Sequence, residues 1–155
     1  MRNLELVQLL ISNNYKISCA ESCTGGMLAS AIVDVADASK VLDMSFVTYA
    51  SEAKTSLINV SKDIIDEYGV VSEEVAKEMA IGVARKANSN IGVGITGLAG
   101  PSRGTELKPV GMVCFGILIN TEIYTFTQYF GNIGRTNVRQ KAVEFVIDKL
   151  IELLS

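Results

Sequence analysis

Apolar residues recur at a helical period in several stretches of the chain. Leu4, Val7, Leu10 and Ile11 share one face, which predicts a short amphipathic helix near the start. Ser72 followed by two glutamates is typical of a helix N-terminus, so another helix is predicted from there to about residue 88. The remaining predicted helices are residues 27–35, 51–58 and 61–69, and a C-terminal helix with a stripe of Val138, Ala142, Val146, Leu150 and Leu153.

Five apolar or alternating stretches, bounded by turn residues, predict strands. They are residues 16–20, 45–50, 91–97, 110–120 and 122–130. The last two are close enough in sequence to form a hairpin. Helices interleaved with strands, followed by a late hairpin, predict a single α/β domain over residues 1–155, with three layers (α/β/α) on a mixed β-sheet.

The composition limits the chemistry that this domain can perform. The 155 residues include no histidine, which excludes Ser-His-Asp triads and histidine metal sites. Hydrolytic chemistry must then depend on lysine, tyrosine, a carboxylate or a metal held by oxygen. Neither a metal nor a cofactor is predicted.

Charge and hydropathy argue against two classes of partner. The formal net charge is −3, whereas a nucleic-acid-binding face is normally basic. No apolar run approaches the ~20 residues that a membrane-spanning helix needs, and Glu5 interrupts the apolar N-terminal stretch where a signal peptide would be uniform. With three cysteines, predicted to be reduced, we expect a cytoplasmic protein.

The segment ESCTGG, residues 21–26, lies between a predicted strand and a predicted helix. At such a turn a serine can be exposed beside backbone N–H groups, and glycines let a ligand approach the backbone. Ser22 is therefore a candidate nucleophile. The candidate anion-binding residues of this turn are Cys23, Thr24, Gly25 and Gly26. An ordinary capped turn explains the pattern equally well.

A serine hydroxyl is a poor nucleophile until a base takes its proton. Without histidine, the natural base is a lysine whose pKa is lowered by burial or nearby positive potential. Lys54 is the best candidate, because it follows the predicted strand that ends near Tyr49 and could emerge beside Ser22. Lys16 and Lys40 are rivals by proximity in sequence, and a solvated surface lysine is the plain alternative.

Two further regions carry groups suited to a phosphorylated ligand. The loop at residues 98–109 is long for a compact domain, which often indicates function, although a mobile surface loop is the alternative. Arg135 and Arg139 share one face of the last helix, and arginine suits bidentate phosphate recognition, although a solvated face is equally consistent. In and beside the loop, the candidate ligand contacts are Thr96, Gly97, Gly100 and Lys108.

Two literal pattern matches carry little weight. Gly92, Gly94 and Gly97 fit G-x-G-x-x-G but lie within a predicted strand that a loop follows, whereas a dinucleotide site needs a strand, a turn and a helix. Ser51 and Lys54 fit S-x-x-K, but the accompanying S-D-N and K-T-G elements of serine acylases are absent.

Six segments occur in an order that resembles a known family. They are ESCTGG, TYASEAK, GVVSEEVAKEMA, ITGLAGP, the KPVG of residues 108–111, and RTNVR. Together they resemble the C-terminal domain of the competence/damage-inducible CinA proteins, a group that includes stand-alone nicotinamide-nucleotide amidases. The resemblance extends from residue 4 to residue 150.

The resemblance implies an α/β/α domain, often a homodimer or a higher homo-oligomer, that acts in pyridine nucleotide metabolism. It implies hydrolysis of nicotinamide mononucleotide to nicotinic acid mononucleotide and ammonia. It further implies that Ser22 is the nucleophile, that Lys54 is its catalytic partner and that Tyr49 lies alongside. The nucleotide-binding positions that it implies are Thr96, Gly97, Lys108 and Arg139.

The chain departs from the family pattern near the predicted site. Ser51 stands where the family commonly has asparagine, and Arg103 lies in a loop that is usually glycine-rich. Arg103 could strengthen phosphate binding or obstruct the pocket. Residues 36–38 replace a Pro-Gly-Ala type of turn, with no catalytic effect expected. Two alternatives stay open: a non-catalytic nucleotide-binding module, and a Ser-Lys amidase that acts on another carboxamide.

Overall fold

A computed structural model describes residues 1–155 of the chain. Its strands are β1 (Ile17–Glu21), β2 (Phe46–Val47), β3 (Ile91–Gly97), β4 (Met112–Ile119) and β5 (Glu122–Tyr129). Its helices are α1 (Asn3–Ser12), α2 (Met27–Val33), α3 (Ser51–Ile58), α4 (Lys62–Tyr68), α5 (Glu73–Ala87) and α6 (Arg135–Leu154). One sheet has the order β2-β1-β3-β4-β5. Its first three strands are parallel, and β4 and β5 run antiparallel to their neighbours, so the predicted mixed sheet and hairpin are confirmed.

Alternating side chains of β3 divide the sheet into two faces. Ile91, Val93 and Ile95 belong to the larger hydrophobic core, which α1, α2 and α6 cover. The opposite face lies against α5, with α3 and α4 packed on that helix around Ile58 and Met79. Helices therefore cover both faces, and the predicted α/β/α architecture is confirmed.

Glycines let α5 lie directly on the sheet. A Cβ at Gly92 would collide with the carbonyl oxygen of Ala80, and a Cβ at Gly94 or Gly116 would collide with that of Ala76. The glycines of the G-x-G match are therefore required by the close approach of helix and strand. Their role is packing, so they give no support to a dinucleotide site.

The strand predicted at residues 45–50 is shorter than expected, because only Phe46–Val47 pairs with β1. The carbonyl groups of Thr48 and Tyr49 accept hydrogen bonds from the Lys54 side chain at 2.7 and 3.3 Å. The last bond to β1 is the one that Thr48 N donates to Glu21 O at 2.8 Å, so the ladder ends there. The chain then enters α3 beside the carboxyl end of β1.

Two serine caps fix the helices that lead to β3. Ser72 Oγ accepts a hydrogen bond from Val75 N at 3.2 Å, as the sequence predicts. Ser61 Oγ caps α4 in the same way through Ile64 N. None of the six helices combines the length and the apolar character required to cross a membrane.

Candidate active site

A cavity of about 580 Å³ opens at the carboxyl ends of β1 and β3. Its walls come from the turn after β1, the start of α3, the end of β3 with the following loop, and the first residue of α6. Cavities that bind small molecules usually measure ~300–1,000 Å³. The cavity therefore has room for a ligand of nucleotide size.

Lys54 and Ser22 meet inside this cavity. Lys54 Nζ lies 3.1 Å from Ser22 Oγ, and the two carbonyl acceptors of Thr48 and Tyr49 take its other hydrogens. Lys54 is fully buried, and Ser22 is 9% exposed. In the neutral amine, the two carbonyls keep the two hydrogens, so the lone pair faces the serine hydroxyl. This is the contact that a general base needs with the proton it removes.

Burial lowers the pKa of Lys54 to about 8. No carboxylate compensates the charge, since all five ion pairs lie elsewhere and involve exposed groups. About one Lys54 in ten is then neutral at pH 7, compared with roughly one in 2,500 for an unperturbed lysine. The site therefore supplies a usable base at neutral pH.

The other candidate groups do not offer this chemistry. Lys16 Nζ contacts Asp43 at 2.7 Å and Lys40 Nζ contacts Asp37 at 3.5 Å, both on the surface. Cys23 is next to Ser22, but burial raises the pKa of its thiol to about 12, so it stays protonated. Of the hydroxyl and thiol groups that line the cavity, the one in contact with a base is thus that of Ser22.

Glu21 anchors the turn that carries Ser22. Its buried carboxylate accepts hydrogen bonds from the N–H groups of Leu28 and Ala29 at 2.9 and 3.0 Å. The sequence predicts an anion site at this helix N-terminus, but the protein's own carboxylate occupies the first-turn amides of α2. No local pattern indicates this cap, because the acid stands seven residues before Leu28.

The backbone of the turn retains donors that the protein does not use. Gly25 N donates to Ser22 O at 3.1 Å, whereas the N–H groups of Cys23, Thr24 and Gly26 have no acceptor within the chain. Of residues 23–26, only Cys23 lines the cavity. The candidate oxyanion donors are therefore the amides at the start of the turn.

Arg135 joins two walls of the cavity. Its Nη1 donates to Gly100 O at 2.7 Å and its Nη2 donates to the Tyr49 hydroxyl at 2.8 Å. Tyr49 is 62% exposed, and its ring lines the cavity. The Arg135 guanidinium is thus engaged in holding the loop after β3 against the start of α3.

Some of the expected binding residues reach the cavity and others do not. Thr96, Gly97 and Gly100 line it, as does Arg103, which departs from the family pattern. Lys108 instead donates from Nζ to Tyr68 O at 2.8 Å, beside a separate cavity of about 290 Å³.

Arg139 also lies outside the cavity lining. Its Nε donates to Cys23 O at 2.9 Å and its Nη2 donates to Thr24 O at 3.1 Å. The guanidinium therefore sits against the backbone of the turn. No three cysteine, aspartate or glutamate side chains come together as a set of metal ligands.

Comparisons with known proteins agree with the motifs. The chain matches the family model described as CinA C-terminal domain over residues 2–154. A CinA-like protein from Petrotoga mobilis is 40% identical over 151 residues, which is 97% of this chain and 37% of that protein. A putative competence-damage inducible protein from Clostridium kluyveri is 49% identical over 118 residues, 76% of this chain and 29% of that protein. The chain thus spans about a third of the length of these curated relatives.

Solved structures extend the likeness to the fold. The competence/damage inducible protein CihA from Agrobacterium tumefaciens has a TM-score of 0.93 and 34% identity, with 100% of this chain and 97% of that chain covered. A CinA superfamily protein from Escherichia coli has a TM-score of 0.93 and 36% identity, with 97% of this chain and 87% of that chain covered. Sequence, fold and family model agree: the chain belongs to the CinA C-terminal domain family.

Proposed function

We propose that this chain is an amidohydrolase that converts nicotinamide mononucleotide to nicotinic acid mononucleotide and ammonia by a Ser-Lys mechanism. The observation that carries the proposal is the 3.1 Å contact between Lys54 Nζ and Ser22 Oγ in a buried site without a compensating acid. The substrate assignment rests on the resemblance to nicotinamide-nucleotide amidases. The same resemblance is the basis for proposing a homo-oligomer, and a cytoplasmic location is proposed from the three free cysteines.

In the acylation step, neutral Lys54 takes the proton from Ser22 Oγ, and the oxygen attacks the carboxamide carbon. The carbonyl oxygen becomes an anion, which free amides of the turn, such as that of Cys23, stabilise. One such donor is typically worth ~2.7–4 kcal/mol. The protonated lysine gives its proton to the departing nitrogen as the C–N bond breaks, which releases ammonia and leaves an acyl-serine.

Water then attacks the acyl-serine while Lys54 accepts its proton. Lys54 returns that proton to Ser22 Oγ as the ester bond breaks, and the product leaves as a carboxylic acid that ionises to the carboxylate. Tyr49 contributes its carbonyl group to the orientation of Lys54, and its hydroxyl is a candidate proton relay at the cavity wall. We assign contacts with the nucleotide to Thr96, Gly97 and Gly100. No step in this scheme is routed through a metal or a cofactor.

The test is ammonia release from nicotinamide mononucleotide by the wild type, by Ser22→Ala and by Ser56→Ala. Ser56 is an exposed serine on the helix that carries Lys54, so its alanine variant is a matched control. We expect Ser22→Ala to lose at least about a thousandfold in kcat and Ser56→Ala to keep wild-type turnover. Wild-type turnover in Ser22→Ala would contradict the nucleophile assignment.

The same assay separates the alternatives. A wild-type chain that binds the mononucleotide but releases no ammonia is a non-catalytic binding module. A wild-type chain that turns over another amide faster, within a small panel of carboxamides, is a Ser-Lys amidase of different specificity.

A further inference from the structure

Arg139 makes an unusual pair of contacts for a residue expected to bind substrate. Its Nε and Nη2 atoms donate to the carbonyl groups of two consecutive residues, Cys23 and Thr24, at 2.9 and 3.1 Å. The contact joins positions 115 and 116 residues apart in the chain. No carboxylate pairs with Arg139, and the side chain does not line the cavity.

These contacts determine which way the peptide groups of the turn point. In a trans peptide the N–H and the C=O groups point in opposite directions. Since Cys23 O points at the guanidinium, the N–H of Thr24 points away from it. Two neighbouring carbonyl groups directed at one place repel each other unless a donor lies between them. The guanidinium of an arginine has two N–H groups placed to donate to both oxygens.

Gly25 is adapted to this arrangement. It has a φ of +58°, and a Cβ built there would lie 3.2 Å from Arg139 Nη2. A side chain at this position would therefore meet both backbone strain and the guanidinium. The glycine and the arginine together hold a backbone conformation whose remaining N–H groups are without internal acceptors.

We propose that Arg139 is a positioning residue: by holding the carbonyl groups of Cys23 and Thr24, it fixes the start of the turn so that the free N–H groups of Cys23 and Thr24 are available to the oxyanion. The inference rests on the proposed function, because it takes Ser22 as the nucleophile. It also reassigns Arg139, which then acts on the reaction through the backbone and makes no contact with the phosphate of the substrate.

The experiment compares Arg139→Met, Arg139→Lys and the control Arg85→Met, which removes an exposed arginine from α5. Loss of the guanidinium should lower kcat for nicotinamide mononucleotide at least tenfold and leave KM within about twofold. Arg139→Lys, which keeps a cationic donor, should recover part of the loss. Arg85→Met should match the wild type. Thermal melting of each variant separates lost folding from lost activity.

Binding is measured separately in the Ser22→Ala background, where turnover is removed. Adding Arg139→Met should leave the Kd for nicotinamide mononucleotide within about twofold. A tenfold or larger weakening of the Kd, with kcat retained, would overturn the proposal and make Arg139 a substrate ligand. An unchanged kcat in a folded Arg139→Met variant would overturn it as well.

A substrate-independent readout distinguishes failure of this inference from failure of the proposed function. A small alkyl fluorophosphonate reacts with an activated serine: the Ser22 oxygen bonds to phosphorus, fluoride leaves, and the proton passes to Lys54. The phosphoryl oxygen needs the same oxyanion donors. If the wild type is labelled at Ser22 but releases no ammonia, the amidase proposal fails, and a tenfold slower labelling of Arg139→Met still supports the positioning role. Equal labelling rates, or no labelling of the wild type, overturn that role.

Discussion

Two lysines of this protein make similar hydrogen bonds in different surroundings. Lys54 Nζ donates to Thr48 O at 2.7 Å, and Lys108 Nζ donates to Tyr68 O at 2.8 Å. Lys54 is fully buried and also contacts a serine hydroxyl, whereas the bond of Lys108 lies at an exposed site. Both lysines therefore have a carbonyl partner, but only Lys54 is also excluded from water beside a serine without a compensating acid. That exclusion is what lowers the pKa of Lys54.

The largest expected effect is the loss of kcat when the amine of Lys54 is removed. Removal of the amine of Lys108 is the matched comparison. Lys54→Met should lower kcat for nicotinamide mononucleotide by at least about a thousandfold, because it removes both the base and the acid of the scheme. Lys108→Met should change kcat less than about threefold, since that side chain lies beside the other cavity. Steady-state ammonia release measures both variants. An equal loss in the two would contradict the distinction between the lysines.

Burial of the protonated Lys54 amine should lower the free energy of unfolding in a pH-dependent way. The folded pKa of about 8 lies below the ordinary lysine value of 10.5, so between these pH values the unfolded chain binds the proton more tightly. The destabilisation caused by the buried charge is complete below pH 8 and disappears as the pH rises toward 10.5. Relative to Lys54→Met, the wild type should therefore gain about 2 to 3 kcal/mol in free energy of unfolding between about pH 7 and pH 10.

Urea denaturation of both chains at several pH values gives this difference. The comparison with Lys54→Met is needed because burial also raises the pKa of Cys19 and Cys23. The Cys19 thiol acts in the opposite direction in both chains and cancels in the difference. The pKa of Cys23 also depends on Lys54, but at about 12 it keeps the folded thiol protonated up to pH 10. A difference that stays flat with pH would show that Lys54 titrates as an ordinary lysine.

The smallest expected effect is on the rate profile of the wild type. Because the neutral amine is the active form, kcat/KM should rise with pH through an apparent pKa of about 8 and then level off. Between pH 7 and the plateau, kcat/KM should increase about tenfold. Lys108→Met should keep the same profile. Activity that still climbs toward pH 10.4, the value of an unperturbed lysine, would count against a tuned Lys54.

Local sequence signals predict the parts of this protein that depend on neighbours along the chain. The serine cap at Ser72, the helical period of α5 and the apolar run of β3 agree with the structure, because the helix buries one face and the strand is buried on both. In α1 the predicted stripe is only partly right: Val7 and Leu10 are buried with Leu6, whereas Leu4 and Ile11 are exposed. The pairing of Ser22 with Lys54 was predictable because each residue comes after a strand, and the carboxyl ends of neighbouring parallel strands meet at the same edge of the sheet.

The other features depend on contacts between segments that are far apart in the sequence. Backbone acceptors carry no side-chain signature, so nothing in the sequence shows that Arg139 points at Cys23 O or that Lys108 points at Tyr68 O. The early end of β2 has the same origin, since the carbonyl groups that follow the ladder bind the side chain of Lys54. The resemblance to a family supplies residue positions but not the partners of these side chains.

The position of α6 has a consequence for engineering the domain. Arg135 and Arg139 stand about one turn apart on this helix, and their four hydrogen bonds hold the loop after β3, Tyr49 and the turn after Ser22. Val138, between them, is buried in the core. A core substitution that slides the helix by about 1 Å would disturb all four bonds together, and catalysis is sensitive to displacements of that size. Residues with no contact to the cavity can therefore retune the site through the register of a single helix.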